Sequence, residues 1–293
     1  MTMTESDRIA VITGASSGIG KEVARSLAEQ GFRILGIGRN SKRCAAAQVE
    51  LREVGGHAAI EMLCADLSLM REAERVAEAI ASLTDRVHVL MNNAGGMTSR
   101  LALTTEGLEE NFASNHLGPF LLTEKLLPML RRAAREATEG SVRIVNTASD
   151  ASEYVPDLPW DDLQMLENYD AGRAYCHGKL ANVMVARGLA KRLAADGIVA
   201  HAVHPGPVDT NFSSHAAESV QARMATLALR TPAQGADTLV WAATADEPGR
   251  VSGRYYFDRA ERKPNSRVED ENAVDRLFRE SECLVAAALA SRR

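Results

Sequence analysis

A glycine-rich turn near the N-terminus constrains the fold more than any other feature of the sequence. The segment TGASSGIG (13–20) follows the short apolar run RIAVIT and precedes KEVARSLAEQ, which has apolar residues at helical spacing. Glycines let a backbone approach a pyrophosphate closely, and a helix N-terminus offers free N–H groups and a positive dipole end. The order strand, turn, helix therefore predicts a phosphate-binding turn in a dinucleotide-binding sheet, with a purely structural tight turn as the alternative.

Strand-like and helical stretches alternate along the rest of the chain. The apolar strand-like runs cover 8–14, 33–38, 57–67, 87–95, 141–149, 197–206 and 253–258. Such an alternation builds a mostly parallel sheet with helices on both faces. We therefore predict an α/β fold with a single doubly wound Rossmann domain over 1–293 and a sheet of about seven strands. An amphipathic helix is expected over about 270–290, packed on the edge of the domain.

Composition excludes several classes of protein. The net charge of −5 argues against nucleic acid as a partner. The four cysteines show no CxxC spacing, so we expect reduced thiols and neither a disulfide framework nor a metal site. The start MTMTESDR has no apolar core of a signal peptide, and no apolar run is long enough to span a membrane. These features predict a cytoplasmic protein without a membrane anchor.

The residue after the second strand predicts the type of cofactor. NAD-specific sites usually place an acidic residue there to bind the ribose 2′-hydroxyl, whereas this chain has Arg39 in GIGRN. An arginine can bind a 2′-phosphate with two hydrogen bonds. We therefore predict NADP(H) in preference to NAD(H), the alternative being an Arg39 that only solvates a helix start.

Five motifs in the expected order resemble those of the short-chain dehydrogenase/reductases. They are TGASSGIG, CADLS, NNAG (92–95), YCHGK (175–179) and PGPVDT (205–210). The stretches NHLGPFLLTEKLLP, AYCHGKLANV and VSGRYYFD further resemble the retinol-dehydrogenase-like branch, although Gly178 stands where that branch commonly has serine. The resemblance implies that the cofactor contacts Gly14, Ser16, Ser17, Gly18, Ile19, Gly20, Arg39, Asp66, Leu67, Asn93, Ala94, Gly95, Tyr175, Lys179, Pro205, Gly206, Val208 and Thr210.

The catalytic expectation centres on Tyr175 as the proton donor for a carbonyl oxygen. A free tyrosine has a pKa of about 10, and a nearby positive charge lowers it. Lys179 lies one helical turn away on the same face, and the resemblance implies that it also binds the nicotinamide ribose. Ser149 ends the fifth strand, where open sheets place ligands, and its hydroxyl would bind the substrate oxygen. The resemblance implies that Asn115 connects the lysine to solvent through water, the alternative being a helix-interior asparagine that bonds to a backbone carbonyl.

Two connections, at about 150–172 and 207–231, are longer than usual and are expected to form the substrate site. Their aromatic residues Tyr154, Trp160 and Phe212, together with Ser149, are the predicted pocket residues. Because both connections contain many apolar side chains, we expect a hydrophobic ketone or aldehyde, or the matching alcohol, as substrate.

Two further hypotheses complete the sequence analysis. The first is that the protein is a catalytically silent NADP(H)-binding sensor or scaffold, which the presence of Ser149, Tyr175 and Lys179 disfavours. The second concerns assembly, because helix 175–195 has apolar residues on more than one side and contains Gly188, which would permit close packing. Since the resemblance implies pairing through this helix, we expect a homodimer or homotetramer.

Overall fold

Eight strands form one sheet in the computed structural model, which describes residues 8–56, 58–210 and 218–291. Their order across the sheet is β3-β2-β1-β4-β5-β6-β7-β8. The strands are β1 Ile9–Thr13, β2 Arg33–Gly38, β3 Ile60–Cys64, β4 Val89–Asn92, β5 Arg143–Thr147, β6 Val199–Val203, β7 Tyr255–Phe257 and β8 Ala260–Glu261. The first seven strands run parallel, and the two-residue β8 pairs antiparallel with β7. The expected parallel sheet is confirmed, with this short edge strand in addition.

The strand order places a crevice at the carboxyl end of β1. β1 pairs with β2 on one side and β4 on the other, so the direction of winding reverses there. In open α/β sheets, ligands bind outside the strand ends at this switch point. All five residues of β1 are buried because both faces of the sheet are covered.

The helices cover both faces of the sheet. They are α1 Gly18–Glu29, α2 Ser41–Val54, α3 Met70–Leu83, α4 Glu110–Phe112, α5 Gly118–Glu136, α6 Ala171–Arg192, α7 Glu218–Ala225, α8 Pro232–Thr244, α9 Asp246–Gly249 and α10 Glu271–Ala290. One apolar core joins α3, α5, α6 and α10 to the sheet, and a second joins α1 and α8 to the opposite face. None of the helices in the described ranges has the length and apolar character that a membrane crossing requires.

A π-helical turn, Ala113–Leu117, separates α4 from α5 and carries Asn115. Single π-turns within helices occur frequently at functional sites. The neighbouring His116 is buried, and its Nε2 lies 2.7 Å from Ser281 Oγ of α10. The last helix therefore contacts the segment that positions Asn115.

The apolar face of α6 around Gly188 is covered by α10 of the same chain. A Cβ on Gly188 would overlap the ring of Phe278 and would come within 2.9 Å of Val274 Cγ1. The Arg192 guanidinium lies 3.7 Å from the Phe278 ring centre. The close packing expected at Gly188 is thus intramolecular, and this part of α6 is not available as the surface through which two subunits were expected to pair.

Candidate active site

A cavity of about 1300 Å³ opens at the carboxyl ends of the central strands. It is larger than the ~300–1,000 Å³ that usually holds one small ligand, which suits two ligands bound side by side. Its wall includes most of the residues expected to bind the cofactor: Gly14, Ser16, Ser17, Gly18, Ile19, Arg39, Asp66, Leu67, Asn93, Ala94, Gly95, Tyr175, Lys179, Pro205, Gly206, Val208 and Thr210.

The glycine turn is held against the end of β4 by Thr13. The hydroxyl of Thr13 accepts hydrogen bonds from the backbone N–H of Asn93 at 2.9 Å and of Ala94 at 2.8 Å. The side-chain amide of Asn93 donates in turn to the carbonyl of Thr13 at 3.1 Å. The turn and the NNAG segment therefore form one rigid wall of the cavity.

Two glycines of this turn lie where no side chain fits. Gly14 has a φ of 73°, and a Cβ there would lie 2.9 Å from Asn93 Nδ2. Gly20 is buried, and its Cβ would lie 2.5 Å from both Asn93 Nδ2 and the Gly14 carbonyl oxygen. Gly20 does not reach the cavity, so its role is close packing of α1 against the turn, not the cofactor contact that was expected.

The far end of the cavity carries two arginines at the start of α2. Arg39 and Arg43 both line the wall, and the Arg39 side chain is 56 % exposed. The Asn40 side chain caps α2 by accepting a hydrogen bond from the Arg43 N–H at 3.0 Å. Glu110 lies across from Arg39, with 3.9 Å between its Oε1 and Arg39 Nη1. This end offers a helix N-terminus and two cations, with one carboxylate competing for Arg39.

Asp66 also lines the cavity, at the end of β3. Its Oδ1 accepts hydrogen bonds from the backbone N–H of Ser68 at 3.0 Å and from the Ser68 hydroxyl at 2.8 Å. One carboxylate oxygen therefore fixes the loop that follows β3.

Ser149, Tyr175 and Lys179 lie together on the wall between β5 and α6. Tyr175 and Lys179 are in the first turns of α6, which Asp170 caps by accepting a hydrogen bond from the Arg173 N–H at 2.8 Å. Lys179 Nζ donates to the carbonyl of Thr147 at 3.2 Å and lies 5.5 Å from the centre of the Tyr175 ring. The ammonium is thus held beside the phenol by the end of β5.

Burial dominates the pKa values of this pair. Burial raises the pKa of Tyr175, and a hydrogen bond with Ser149 acts in the opposite direction. Burial lowers the pKa of Lys179 to about 8. In the protein alone the pKa of Tyr175 is therefore raised by burial, and the lowering that the sequence led us to expect from Lys179 is not seen.

Asn115 lies behind the wall and not in it. Its amide Nδ2 donates to the carbonyls of Gly96 and Asn111, at 2.8 Å each. Its Oδ1 is buried and has no hydrogen-bond partner among the described residues. A Cβ on Gly95 would come within 2.5 Å of this oxygen and 3.3 Å of Lys179 Nζ. An unsatisfied acceptor and the lysine ammonium therefore both lie close to Gly95, and an acceptor of this kind usually bonds to water or a ligand.

These features fit a bound dinucleotide. Gly14 lines the cavity without a side chain, so a pyrophosphate can approach the backbone N–H groups of the turn there. The buried ammonium of Lys179 also lines the cavity, where a polar partner would compensate its burial.

The substrate side of the cavity differs from the prediction. Tyr154 lines it and is 57 % exposed. Trp160 does not reach it, because the ring packs on the core and lies 4.7 Å from the guanidinium of Arg276 in α10. Trp160 therefore does not line the cavity, contrary to the prediction that it contacts the substrate. Phe212 lies outside the residues that the structure describes.

Sequence reasoning missed two polar groups that line this side, Asp150 and His204. The Ser149 hydroxyl donates to Asp150 Oδ1 at 3.2 Å, and the Tyr154 hydroxyl donates to Oδ2 at 3.2 Å. His204 Nε2 lies 3.9 Å from Asp150 Oδ1. The signal was available, since an acid directly after the serine in TASDAS has to lie close to it.

Comparison with known proteins places these motifs in a family. The family model for short chain dehydrogenases matches residues 8–221. Human retinol dehydrogenase 12 is 35 % identical over 272 residues, which cover 92 % of this chain and 84 % of that protein. Human polyprenol dehydrogenase is 34 % identical over 262 residues, or 88 % of this chain and 78 % of that protein.

Solved structures show the same architecture. An uncharacterized protein from Mycobacterium paratuberculosis has a TM-score of 0.75 and 28 % identity, with 98 % of each chain covered. The NADP complex of RhlG from Pseudomonas aeruginosa has a TM-score of 0.69 and 27 % identity, covering 85 % of this chain and 93 % of that one. Fold, motifs and relatives agree, and the chain belongs to the short-chain dehydrogenase/reductase family, in its retinol-dehydrogenase-like branch.

Proposed function

We propose that the protein is an NADP(H)-dependent oxidoreductase that interconverts a hydrophobic ketone or aldehyde and its alcohol. The observation that carries this proposal is the position of Ser149, Tyr175 and Lys179 on one wall of a cavity that the glycine turn also lines. The nicotinamide, when bound, supplies or accepts the hydride. The protein must then bind the carbonyl oxygen and exchange a proton with it.

Tyr175 is the proposed proton donor and acceptor. Its pKa in the protein alone is too high for proton exchange near neutrality, so a positive charge must oppose the effect of burial. The Lys179 ammonium, which Thr147 holds beside the phenol, is the group of this chain that provides such a charge. Asn115 has an unpaired acceptor close to Gly95, as Lys179 has its ammonium, and it would hold a water that returns protons to the lysine.

Substitution of Tyr175 by Phe tests the chemistry. We expect Tyr175→Phe to lower turnover of carbonyl compounds by about 10²–10⁴-fold, the usual contribution of a general acid. NADPH binding, measured by fluorescence titration, should persist because the phenyl ring keeps its place in α6. If wild type binds NADPH but reduces nothing in a broad carbonyl panel, the sensor or scaffold hypothesis replaces this one.

The preference for NADP(H) is proposed from the cations at the start of α2. Arg39 and Arg43 line the cavity there, and no acidic residue ends β2. Arg39→Ala should weaken NADPH binding by about tenfold or more while leaving NADH binding nearly unchanged, since only the 2′-phosphate contact is lost. Equal affinity of the wild type for both cofactors would contradict the preference.

The substrate class is proposed from the relatives and the cavity. Two relatives are named for retinol and polyprenol, which are long apolar alcohols. Met97, Met224 and Leu227 line this cavity beside Tyr154 and give it apolar surface. A cytoplasmic location and a homodimer or homotetramer stay predictions. Because α10 covers α6 around Gly188, an interface would lie elsewhere, and a monomer mass by light scattering at micromolar protein would refute assembly.

A further inference from the structure

The carboxylate of Asp150 lies directly beside the hydroxyl that would hold the substrate oxygen. Ser149 Oγ accepts the backbone N–H of Ala151 at 3.2 Å and donates to Asp150 Oδ1 at 3.2 Å. The same hydroxyl also shares a hydrogen bond with Tyr175, so its single proton lies between two neighbours, the Asp150 carboxylate and the phenol. A carbonyl compound that binds to Ser149 has to compete with the carboxylate for that proton.

Asp150 forms no ion pair with a lysine or arginine in the described part of the chain, and Arg262 acts on it only at longer range. Among these residues, its one basic neighbour within ion-pair distance, His204, is 3.9 Å away. Burial lowers the pKa of His204, so this imidazole is neutral near pH 7. Two nearby arginines are held by other acids, because Arg262 pairs with Glu153 and Arg230 with Asp258.

The position of the carboxylate is fixed by its other contacts. Tyr154 donates to Oδ2 at 3.2 Å, while the His204 ring stacks on Phe257 with 4.9 Å between centroids. The Asp150 side chain keeps 38 % of its surface accessible, and it lines the cavity. A carboxylate that faces a substrate cavity without a cation is costly for a purely apolar or an anionic ligand.

We propose that Asp150 determines specificity by accepting a hydrogen bond from a donor that the substrate carries close to its reacting carbonyl. A carbonyl oxygen and Asp150 Oδ1 would each lie about 3 Å from Ser149 Oγ. Two atoms in that relation are about 4–6 Å apart, which places the donor on the carbon next to the carbonyl or one further. The substrate class is an otherwise apolar ketone or aldehyde with a neighbouring hydroxyl or ammonium.

This inference rests on the proposed oxidoreductase function and departs from it in one respect. A wholly hydrophobic carbonyl compound leaves the carboxylate of Asp150 without a new partner, whereas a keto acid brings a second negative charge to it. Compounds that carry a hydrogen-bond donor and no negative charge are therefore favoured over both.

Three matched probes test the proposal. They are methyl hexyl ketone, the same ketone with a hydroxyl on its methyl carbon, and the keto acid with a carboxylate in place of that methyl group. For the wild type with NADPH, we expect kcat/KM to be highest for the hydroxyketone, by about tenfold or more over the plain ketone, and lowest for the keto acid.

Asp150→Asn should change kcat/KM in different directions for the three probes. The hydroxyketone should lose about tenfold, because a charged hydrogen bond becomes a neutral one, while the keto acid gains. Asp161→Asn, which removes the same charge from an exposed position in the same segment, should leave the order of the probes unchanged. An equal change for all three probes in Asp150→Asn would mean a structural role and would overturn the proposal.

A binding readout separates this proposal from the proposed function. Thermal shifts of NADPH-loaded Tyr175→Phe with the same probes require no turnover. Stabilisation by the hydroxyketone that disappears in Tyr175→Phe/Asp150→Asn supports the role of Asp150 even if the wild type reduces none of the probes. Reduction of the plain ketone by the wild type, with no preference for the hydroxyl in either assay, would leave the oxidoreductase intact and reject the role of Asp150.

Discussion

The two halves of the cavity are built by different means. On the cofactor side, the residues around Tyr175 are buried and held by contacts to the backbone; Asn115 is 1 % exposed and Lys179 is 4 % exposed, while Arg39 at the far end stays exposed. On the substrate side, Tyr154 is 57 % exposed and the segment between β5 and α6 has only one short helical turn, Asp150–Glu153. The first half depends on the path of the main chain, and the second depends on which side chains an irregular connection carries.

This difference predicts which properties a substitution should alter in each half of the cavity. A backbone cradle admits few residues at each position, so substitutions there should affect stability and cofactor binding together. Exposed side chains on a connection can be exchanged with little effect on the fold, so substitutions there should change substrate preference alone.

The largest effect is expected at Gly20, on the cofactor side. A methyl group there would press on the Gly14 carbonyl and on Asn93, which forces the turn to shift. We expect Gly20→Ala to cost about 1–3 kcal/mol in the free energy of unfolding and to weaken NADPH binding by more than about tenfold.

Gly178→Ala is the matched control for Gly20. Its Cβ would meet only Asn115 Cβ, at 3.4 Å, inside α6. Alanine should stabilise the helix by about 0.5–1 kcal/mol and should not weaken the binding of NADPH. Urea unfolding measures the stability of both variants, and titration measures their affinity for NADPH. Unchanged NADPH affinity in Gly20→Ala would contradict the expectation that substitutions on the cofactor side affect stability and cofactor binding together.

Trp160 and Tyr154 test the boundary between the halves. Trp160→Ala should lower the free energy of unfolding by about 2 kcal/mol, because it removes packing on the core and the contact with Arg276. It should leave KM unchanged, since the ring lies off the cavity. Tyr154→Ala should change KM, while its free energy of unfolding should stay within about 0.5 kcal/mol of the wild-type value. A changed KM in Trp160→Ala would restore that residue to the substrate site.

His116 provides a prediction for the pH dependence of stability. Burial lowers its pKa from 6.5 to about 3, so between these values the unfolded chain binds a proton that the folded protein does not. This contribution to stability is complete above about pH 6.5 and decreases as the pH falls toward 3.

Substitution of His116 by Gln should make stability less dependent on pH. We expect the loss between about pH 6 and 4 to be smaller by up to ~1.4 kcal/mol per pH unit. Urea midpoints at several pH values measure the slope, and the difference at pH 7.5 gives the packing cost alone. A slope identical to that of the wild type would mean that His116 is protonated in the folded protein.

The smallest effect is expected at Glu110, which faces Arg39 at the far end of the cavity. Glu110→Gln should tighten NADPH binding by about two- to fivefold, because Arg39 is released from a competing carboxylate. NADH binding should not change, and Glu167→Gln, a remote exposed position, serves as control. Tighter binding of both cofactors would show that Glu110 acts on the cavity as a whole and not on the 2′-phosphate end.

The sequence predicted the sheet, and most of the residues that line the cofactor side of the cavity, because a glycine turn leaves a residue-level pattern. The glycines, the apolar spacing of the first helix and the order of the motifs are read along the chain, and they indicated the sheet, the turn and the Tyr175–Lys179 wall. The sequence could not show that Gly20 packs behind the turn, since packing depends on how far α1 approaches β4.

The substrate side was predicted less well because its geometry is not local. Tyr154 and Trp160 look alike as aromatic residues on one connection, and only the position of Arg276 in α10 separates their roles. The covering of α6 by α10 is likewise a contact between distant segments. Asp150 is different. Its position after Ser149 was visible in the sequence, but only the structure shows that no lysine or arginine of the described residues pairs with its carboxylate.

The covering of α6 by α10 also bears on how the chain folds during synthesis. α10 follows every other described element, so the apolar face around Gly188 and Leu189 stays open until it emerges. At ~5–20 residues per second, that delay lasts several seconds after α6 has left the ribosome. Over that interval the nascent chain exposes a surface that a chaperone can hold, and release becomes possible once Phe278 closes it.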